Sequence, residues 1–150
     1  MEINELIARL NTKASKDEHS ARIFYTGISE EEKSLLISFS PQNSFIMYGT
    51  LGPGGPNHHL VKDIGGTWHK GLIKGKLAEG GWGSEFGYNG FRHDNSEEQQ
   101  DIPASILIAE NMPSNWKRLD EFEGDGYERI LSKFELADGS FAVGYIYALR

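Results

Sequence analysis

Tyr127-Glu128-Arg129-Ile130-Leu131-Ser132-Lys133-Phe134-Glu135-Leu136, then Ala137-Asp138-Gly139-Ser140, then Phe141-Ala142-Val143-Gly144-Tyr145-Ile146-Tyr147-Ala148-Leu149: this closing stretch decides the fold class. Two runs rich in β-branched and aromatic residues flank an Asp-Gly pair. That pair tolerates the positive φ of a tight turn, so the runs predict an antiparallel hairpin. Side chains alternate across a strand, which puts Tyr127 and Arg129 on one face and Tyr145 and Tyr147 on one face. The two later tyrosines are either plain core or the lining of a pocket with a hydroxyl at its rim. Tyr127 either covers the mouth of a barrel or offers its hydroxyl to a ligand, and Arg129 is either that tyrosine's neighbour at a site or half of a surface ion pair.

One step outward lies Leu119-Asp120-Glu121-Phe122-Glu123-Gly124. A helix over 113–122 stacks Trp116, Leu119 and Glu123 at i, i+3 and i+7, along one stripe. Trp116 and Leu119 need burial, and Glu123 is carried inward with them, while Asp120 and Glu121 point elsewhere and stay solvated. A carboxylate on an apolar stripe is costly unless paired, hydrogen-bonded or used. Glu123 also ends the helix, where the macrodipole repels negative charge. Both effects favour the protonated acid, so its pKa should rise toward the range of a general acid or base at neutral pH. The alternative is a glutamate at a frayed helix end, reaching to water. Gly124 is placed to close the helix with a left-handed cap.

Further back, Phe45-Ile46-Met47-Tyr48 is a compact apolar strand that runs into Gly49-Thr50-Leu51-Gly52. Successive amides in such a glycine-bearing turn can converge into an anion-binding nest, with Thr50 adding a hydroxyl. An ordinary glycine-rich turn is the competing interpretation. Residues 51–57 form a loop. Residues 67–77 form a bent or bulged strand, 79–95 an ordered surface loop, 96–101 an exposed mobile segment and 104–109 a buried strand. Gly52-Pro53-Gly54-Gly55 lacks the spacing of a dinucleotide fingerprint, and Gly71 to Lys76 lacks that of a P-loop, which disfavours NAD and ATP. Adjacent His58 and His59 diverge on either regular structure and rarely share a metal.

Before residue 44 the pattern changes. Ile3, Leu6, Ile7 and Leu10 have helical spacing, 12–20 is a polar loop and 21–28 contains a short strand. Ser29-Glu30-Glu31-Glu32 then makes a capping box for a helix that stops before Pro41. Residues 1–43 are therefore expected to be a helical extension packed on a core of 44–150, with apolar stripes that could equally cover a second subunit as a homodimer. The architecture expected is α+β: a small mixed, mostly antiparallel β-barrel flanked by helices.

Composition bounds the function. The 150 residues suffice for one domain with a real core. A net charge of -7 argues against nucleic acid or an anionic membrane as partner. With Cys 0, disulfides, zinc-thiolate sites and thiol catalysis are excluded. An acidic start and no apolar run approaching about 20 residues predict neither a secretory signal nor a membrane span, so a cytoplasmic protein is the default expectation.

Two segments together resemble the γ-glutamylcyclotransferase family. Phe45-Ile46-Met47-Tyr48-Gly49-Thr50-Leu51 is similar to its opening strand and Tyr-Gly-Ser/Thr-Leu loop. Leu119-Asp120-Glu121-Phe122-Glu123-Gly124 with Tyr127 is similar to its Leu-Asp-x-x-Glu-Gly-x-x-Tyr signature. The pair, in order, is more specific than either alone, and the likeness runs over 44–150. Gly52 departs from it, standing where a basic residue often follows the leucine. The resemblance implies a small barrel with no metal or organic cofactor. It also implies intramolecular attack of a γ-glutamyl substrate's α-amine on its own side-chain carbonyl, giving 5-oxoproline and a free amine. On that basis Glu123 is the expected general acid/base, the amides of Tyr48, Gly49, Thr50 and Leu51 hold the substrate carboxylate or oxyanion, and Tyr127 and Tyr145 orient it. The alternative is a catalytically silent small-molecule-binding domain of the same fold.

Overall fold

In the computed structural model, residues 2–49, 51–78, 90–92 and 99–150 are described. Thr50 and most of the loop expected over 79–95 lie outside them, as does half of the acidic segment 96–101.

The predicted hairpin is present as β7 (Tyr127–Leu136) and β8 (Phe141–Leu149), in register from Tyr127 opposite Leu149 to Glu135 opposite Phe141. The Asp-Gly turn is held by Asp138, whose Oδ1 accepts from the Ser140 amide at 2.9 Å. Around this hairpin, β3 (Ser44–Met47), β4 (Thr67–Ala78) and β6 (Gln100–Ile108) complete a closed five-strand mixed barrel. The ring runs β3, β6, β4, β7, β8 and returns to β3. Every junction is antiparallel except the last, where Phe45 and Ile46 pair in parallel with Tyr145 and Ile146. β5 (Gly90–Arg92) bridges β4 and β8 beside the ring. These residues were expected in a loop, and Gln100 and Asp101 in a mobile segment; both are strand. β5 is buried, with Phe91 wholly inside, but it sits in a glycine-rich stretch with no alternation to betray it.

Period-two alternation sends each strand's side chains into two different cores. Ile46, Ile73, Phe91, Ile102, Ile106, Phe134 and Ile146 come from strands alone and fill the barrel. Phe45, Met47, Leu107, Leu131, Val143, Tyr145 and Tyr147 face outward and are covered by helices. Those are α1 (Ile3–Lys13), α2 (Glu30–Phe39) and α3 (Trp116–Glu123).

The ring closes where β4 crosses β7, and Gly71 makes the crossing possible. A Cβ at Gly71 would lie 2.0 Å from the Glu135 carbonyl oxygen and 2.7 Å from Phe134 Cε1. Backbone cannot yield as a side-chain tip does. Gly71→Ala is therefore expected to destabilise the chain by about 3 kcal/mol or more, read as a lower urea midpoint at unchanged m-value.

The amino-terminal segment is built on the barrel's outer face. Leu6, Ile7 and Leu10 of α1 are buried in the same core as Leu131 and Tyr145. Most of β7's outer edge pairs with no strand among the described residues. Asn11 covers it at Leu131, donating to the carbonyl at 3.0 Å and accepting from the amide at 2.9 Å. Ser29 caps α2 as expected, accepting from the Glu32 amide. The Glu32 carboxylate is buried and takes the Lys13 ammonium at 2.7 and 2.9 Å, which holds its pKa below the usual carboxylate range. One expectation fails here: 12–20 is not all loop. α1 runs to Lys13, and β1 (Ala14–Lys16) pairs with β2 (Ile23–Tyr25). The ribbon's first strand is exposed along its length, so it needs no apolar alternation. No helix among the described residues is long and apolar enough to cross a membrane.

Candidate active site

α3 carries the acid inward as its spacing requires. Trp116 and Leu119 are buried, and Trp116 is anchored by its Nε1–H to the Gln42 carbonyl at 2.8 Å. Glu123, the last helical residue, is half-buried on the same stripe. Burial, and then the charge of Asp120, push its pKa up from 4.5 to about 7. Gly124 ends the helix with φ 79° and ψ -174°. The positive φ is as expected, but this is the region open essentially to glycine alone and not the left-handed helical one. Its amide returns to the Asp120 carbonyl at 3.0 Å, and its own carbonyl accepts from Tyr127. That tight turn leads to Tyr127, buried at the start of β7 and four residues beyond the acid.

Tyr48 arrives from the other side. Its hydroxyl donates to the Tyr147 carbonyl and accepts from the Phe91 amide, both at 2.8 Å, so it pins β3 to β8 and β5. Burial raises the pKa of this phenol; the Phe91 amide opposes that rise, and the charges of Glu123 and Tyr127 add to it. Glu123 therefore shares an electrostatic neighbourhood with the end of β3. Tyr147 belongs to the same group: its hydroxyl donates to Asp120 Oδ1 at 2.6 Å and feels the Glu123 charge.

At the turn itself, Leu51 is buried and its carbonyl contacts His58 Nδ1 at 3.0 Å, while the Gly52 amide donates to Gly49. The histidine pair opens a short 3-10 turn. Neither Gly49 nor Gly52 has positive φ, so the turn does not draw on glycine's unusual angles. What Gly49 has is room: a Cβ there would meet nothing within 4 Å among the described residues.

Tyr145 is buried in β8. Its hydroxyl pairs with that of Tyr25 at 2.8 Å, and its ring packs edge-on to Trp116. Burial raises its pKa, against the hydrogen bond from Tyr25 and the charge of Arg129.

The solvated position expected for Asp120 and the surface alternative for Arg129 both fail. Asp120 was read as solvated, but its side chain is 11% exposed and accepts from Arg129 Nε at 2.9 Å, Arg129 Nη2 at 3.3 Å and Tyr147. Arg129 is no surface ion-pair residue; its side chain is 2% exposed. The signal for Asp120 was available, because i+4 from Trp116 lies on the same helical face as i+3.

Comparison with known proteins bears on the family and the fold. A family model described as gamma-glutamyl cyclotransferase, AIG2-like, matches residues 45–150. Among solved structures, YkqA from Bacillus subtilis superposes with a TM-score of 0.55 at 21% identity, over 72% of this chain and 36% of that one. The chain thus spans little more than a third of YkqA. An AIG2-like protein from Mus musculus also gives a TM-score of 0.55, at 20% identity, over 71% of this chain and 76% of that one. At these identities the likeness is one of fold. No curated protein sequence matches the chain.

Proposed function

Because this chain belongs to the gamma-glutamyl cyclotransferase, AIG2-like family, we propose that it converts a γ-glutamyl amine or peptide into 5-oxoproline and a free amine. The observation that carries the proposal is a helix-end carboxyl with its pKa lifted to about 7, next to the end of the Tyr-Gly strand. The substrate's α-amine is an ammonium ion at neutral pH and cannot attack. Glu123, when ionised, takes its proton; the nitrogen bonds to the γ-carbonyl carbon, and the carbon–nitrogen bond to the leaving group breaks. The leaving nitrogen takes the proton back from Glu123, and the second proton, shed by the ring nitrogen as it becomes an amide, goes to the free amine, which leaves as its ammonium ion. Because both reacting atoms lie in one molecule, holding the chain folded removes much of the entropic barrier.

The backbone amides of Tyr48, Gly49, Thr50 and Leu51 are assigned to the substrate carboxylate or the developing oxyanion. Tyr127 is assigned to orienting the glutamyl chain. Tyr145 acts at one remove, by packing the Trp116 side of α3. Incubation with a panel of γ-glutamyl amines and dipeptides should yield 5-oxoproline from at least one. Stabilisation by such ligands with no product from any would favour the silent binding domain.

The open space at Gly49 gives a sharper expectation. Gly49→Ala adds a methyl where no described residue has an atom within 4 Å and φ needs no glycine. Stability should stay within about 0.5 kcal/mol of the parent. Substrate approach to the amides is obstructed, so KM should rise by about tenfold, measured on whichever γ-glutamyl compound turns over. An unchanged KM would remove this turn from the binding site.

A further inference from the structure

Between the amino-terminal segment and the barrel lies a cavity of about 580 Å3, a size typical of small-molecule sites. One wall is aromatic: Trp116 and Tyr145 meet at 5.7 Å and 79°. The opposite wall is aliphatic, from Ile28 and Leu36. Two arginines, Arg22 and Arg129, also line it, and among the described residues no carboxylate does.

Arg129 is the decisive group. Its guanidinium lies against the faces of Trp116 and Tyr145, 4.4 and 5.0 Å from their centroids. Nε and Nη2 are engaged by Asp120, and Nη2 also donates to the Ala21 carbonyl. Nη1 has no hydrogen-bond partner among the described residues, although the side chain is 2% exposed. A buried charged donor left without an acceptor is costly. The described residues around Arg129 supply none, and the cavity it lines is where one fits.

Charge fixes what that acceptor is. Asp120 compensates Arg129 from behind. The Asp17 carboxylate accepts from the amides of His19 and Ser20 and feels the charge of Arg22, but it does not line the cavity. Among the described residues, the charged groups that line the cavity are thus both cations, Arg22 and Arg129. We propose that this cavity is a second ligand site, which takes a small organic monoanion: a carboxylate on an apolar or aromatic body. The head sits between Arg129 Nη1 and Arg22, and the body lies along Trp116 and Tyr145. The site is built largely from residues that precede the 45–150 family match, and it does not depend on the cyclisation chemistry.

Calorimetric titration of the full chain with benzoate, phenylacetate and indole-3-acetate, each against its uncharged amide, tests the proposal. The acids should bind one to one, and the amides about tenfold or more weakly. Arg22→Gln, at an exposed position, should weaken the acids by about tenfold. Ile28→Trp should fill the cavity and abolish binding, whereas Glu123→Gln should leave it intact. The proposal is overturned if no acid binds at about 10 mM, or if acid and amide bind equally. It is overturned equally if Arg22→Gln has no effect, a result that decides even where Ile28→Trp does not fold.

Discussion

Replacing Glu123 with glutamine is expected to lower the rate of 5-oxoproline release by about 10²–10⁴-fold while the protein becomes more stable above neutral pH. Glutamine keeps the shape and cannot accept the ammonium proton, so only the proton transfer is lost. In the parent, the reactive form is the carboxylate. Turnover should therefore rise as pH passes upward through about 7, the value to which burial and Asp120 push this group. The same shift opposes folding. Between its ordinary pKa of 4.5 and its folded pKa of about 7, the folded state holds more protons than the unfolded one. Stability accordingly falls as pH rises through that window. Above it the penalty is fully present, up to roughly 3 kcal/mol at about 1.36 kcal/mol per pKa unit. Glu123→Gln removes the penalty. Its melting temperature should match the parent near pH 4.5 and exceed it at pH 8. Intact turnover would take Glu123 out of the chemistry, and equal melting at pH 8 would contradict its desolvation.

Much of this arrangement is legible in the chain, and the gaps have physical causes. The hairpin could be read because an Asp-Gly turn and flanking alternation are local signals, fixed within a few residues of each other. Glu123 could be placed on a buried stripe because helical periodicity carries Trp116, Leu119 and position 123 to one face. The parallel pairing of Phe45 with Tyr145, which closes the barrel, is not local: the partners are far apart in sequence and no motif announces them. β5 was hidden for a related reason. Phe91 is buried by strands on both sides, and a strand that short carries no period. Asp120 was expected in solvent, and Arg129 was left open to it, because a charged residue is solvated on base expectation. Their burial depends on each other, and a pair formed across a helix and a strand leaves no mark on either segment alone. The turn after β3 was the least accessible. Its glycines signalled backbone angles, whereas Gly49 contributes open space instead.

That hidden pair should be the most consequential for stability. Asp120→Ala leaves the Arg129 guanidinium almost wholly buried, still stacked on Trp116 and Tyr145, and facing no carboxylate. It also removes the acceptor of the 2.6 Å bond from Tyr147. Breaking a buried pair from one side costs about 3–5 kcal/mol, which for a chain of this length lowers Tm by roughly 6–20 °C. Asp120→Asn keeps an acceptor without the charge and should fall between the parent and the alanine variant. A joint change, Asp120→Leu with Arg129→Met, eliminates both charges and should recover most of the loss, since the penalty belongs to the abandoned partner more than to the bond. Failure of the double variant to recover would mean that packing, and not charge, is what these residues supply. Asp120 is also a positioning residue for the acid, and this role is separable from folding. Its charge is the second cause of the raised Glu123 pKa, after burial. Losing the charge in Asp120→Asn should shift the acid limb of the pH–rate profile to lower pH, without moving it to that of a solvated glutamate. A merely structural Asp120 would lower the melting temperature and leave that limb where it was.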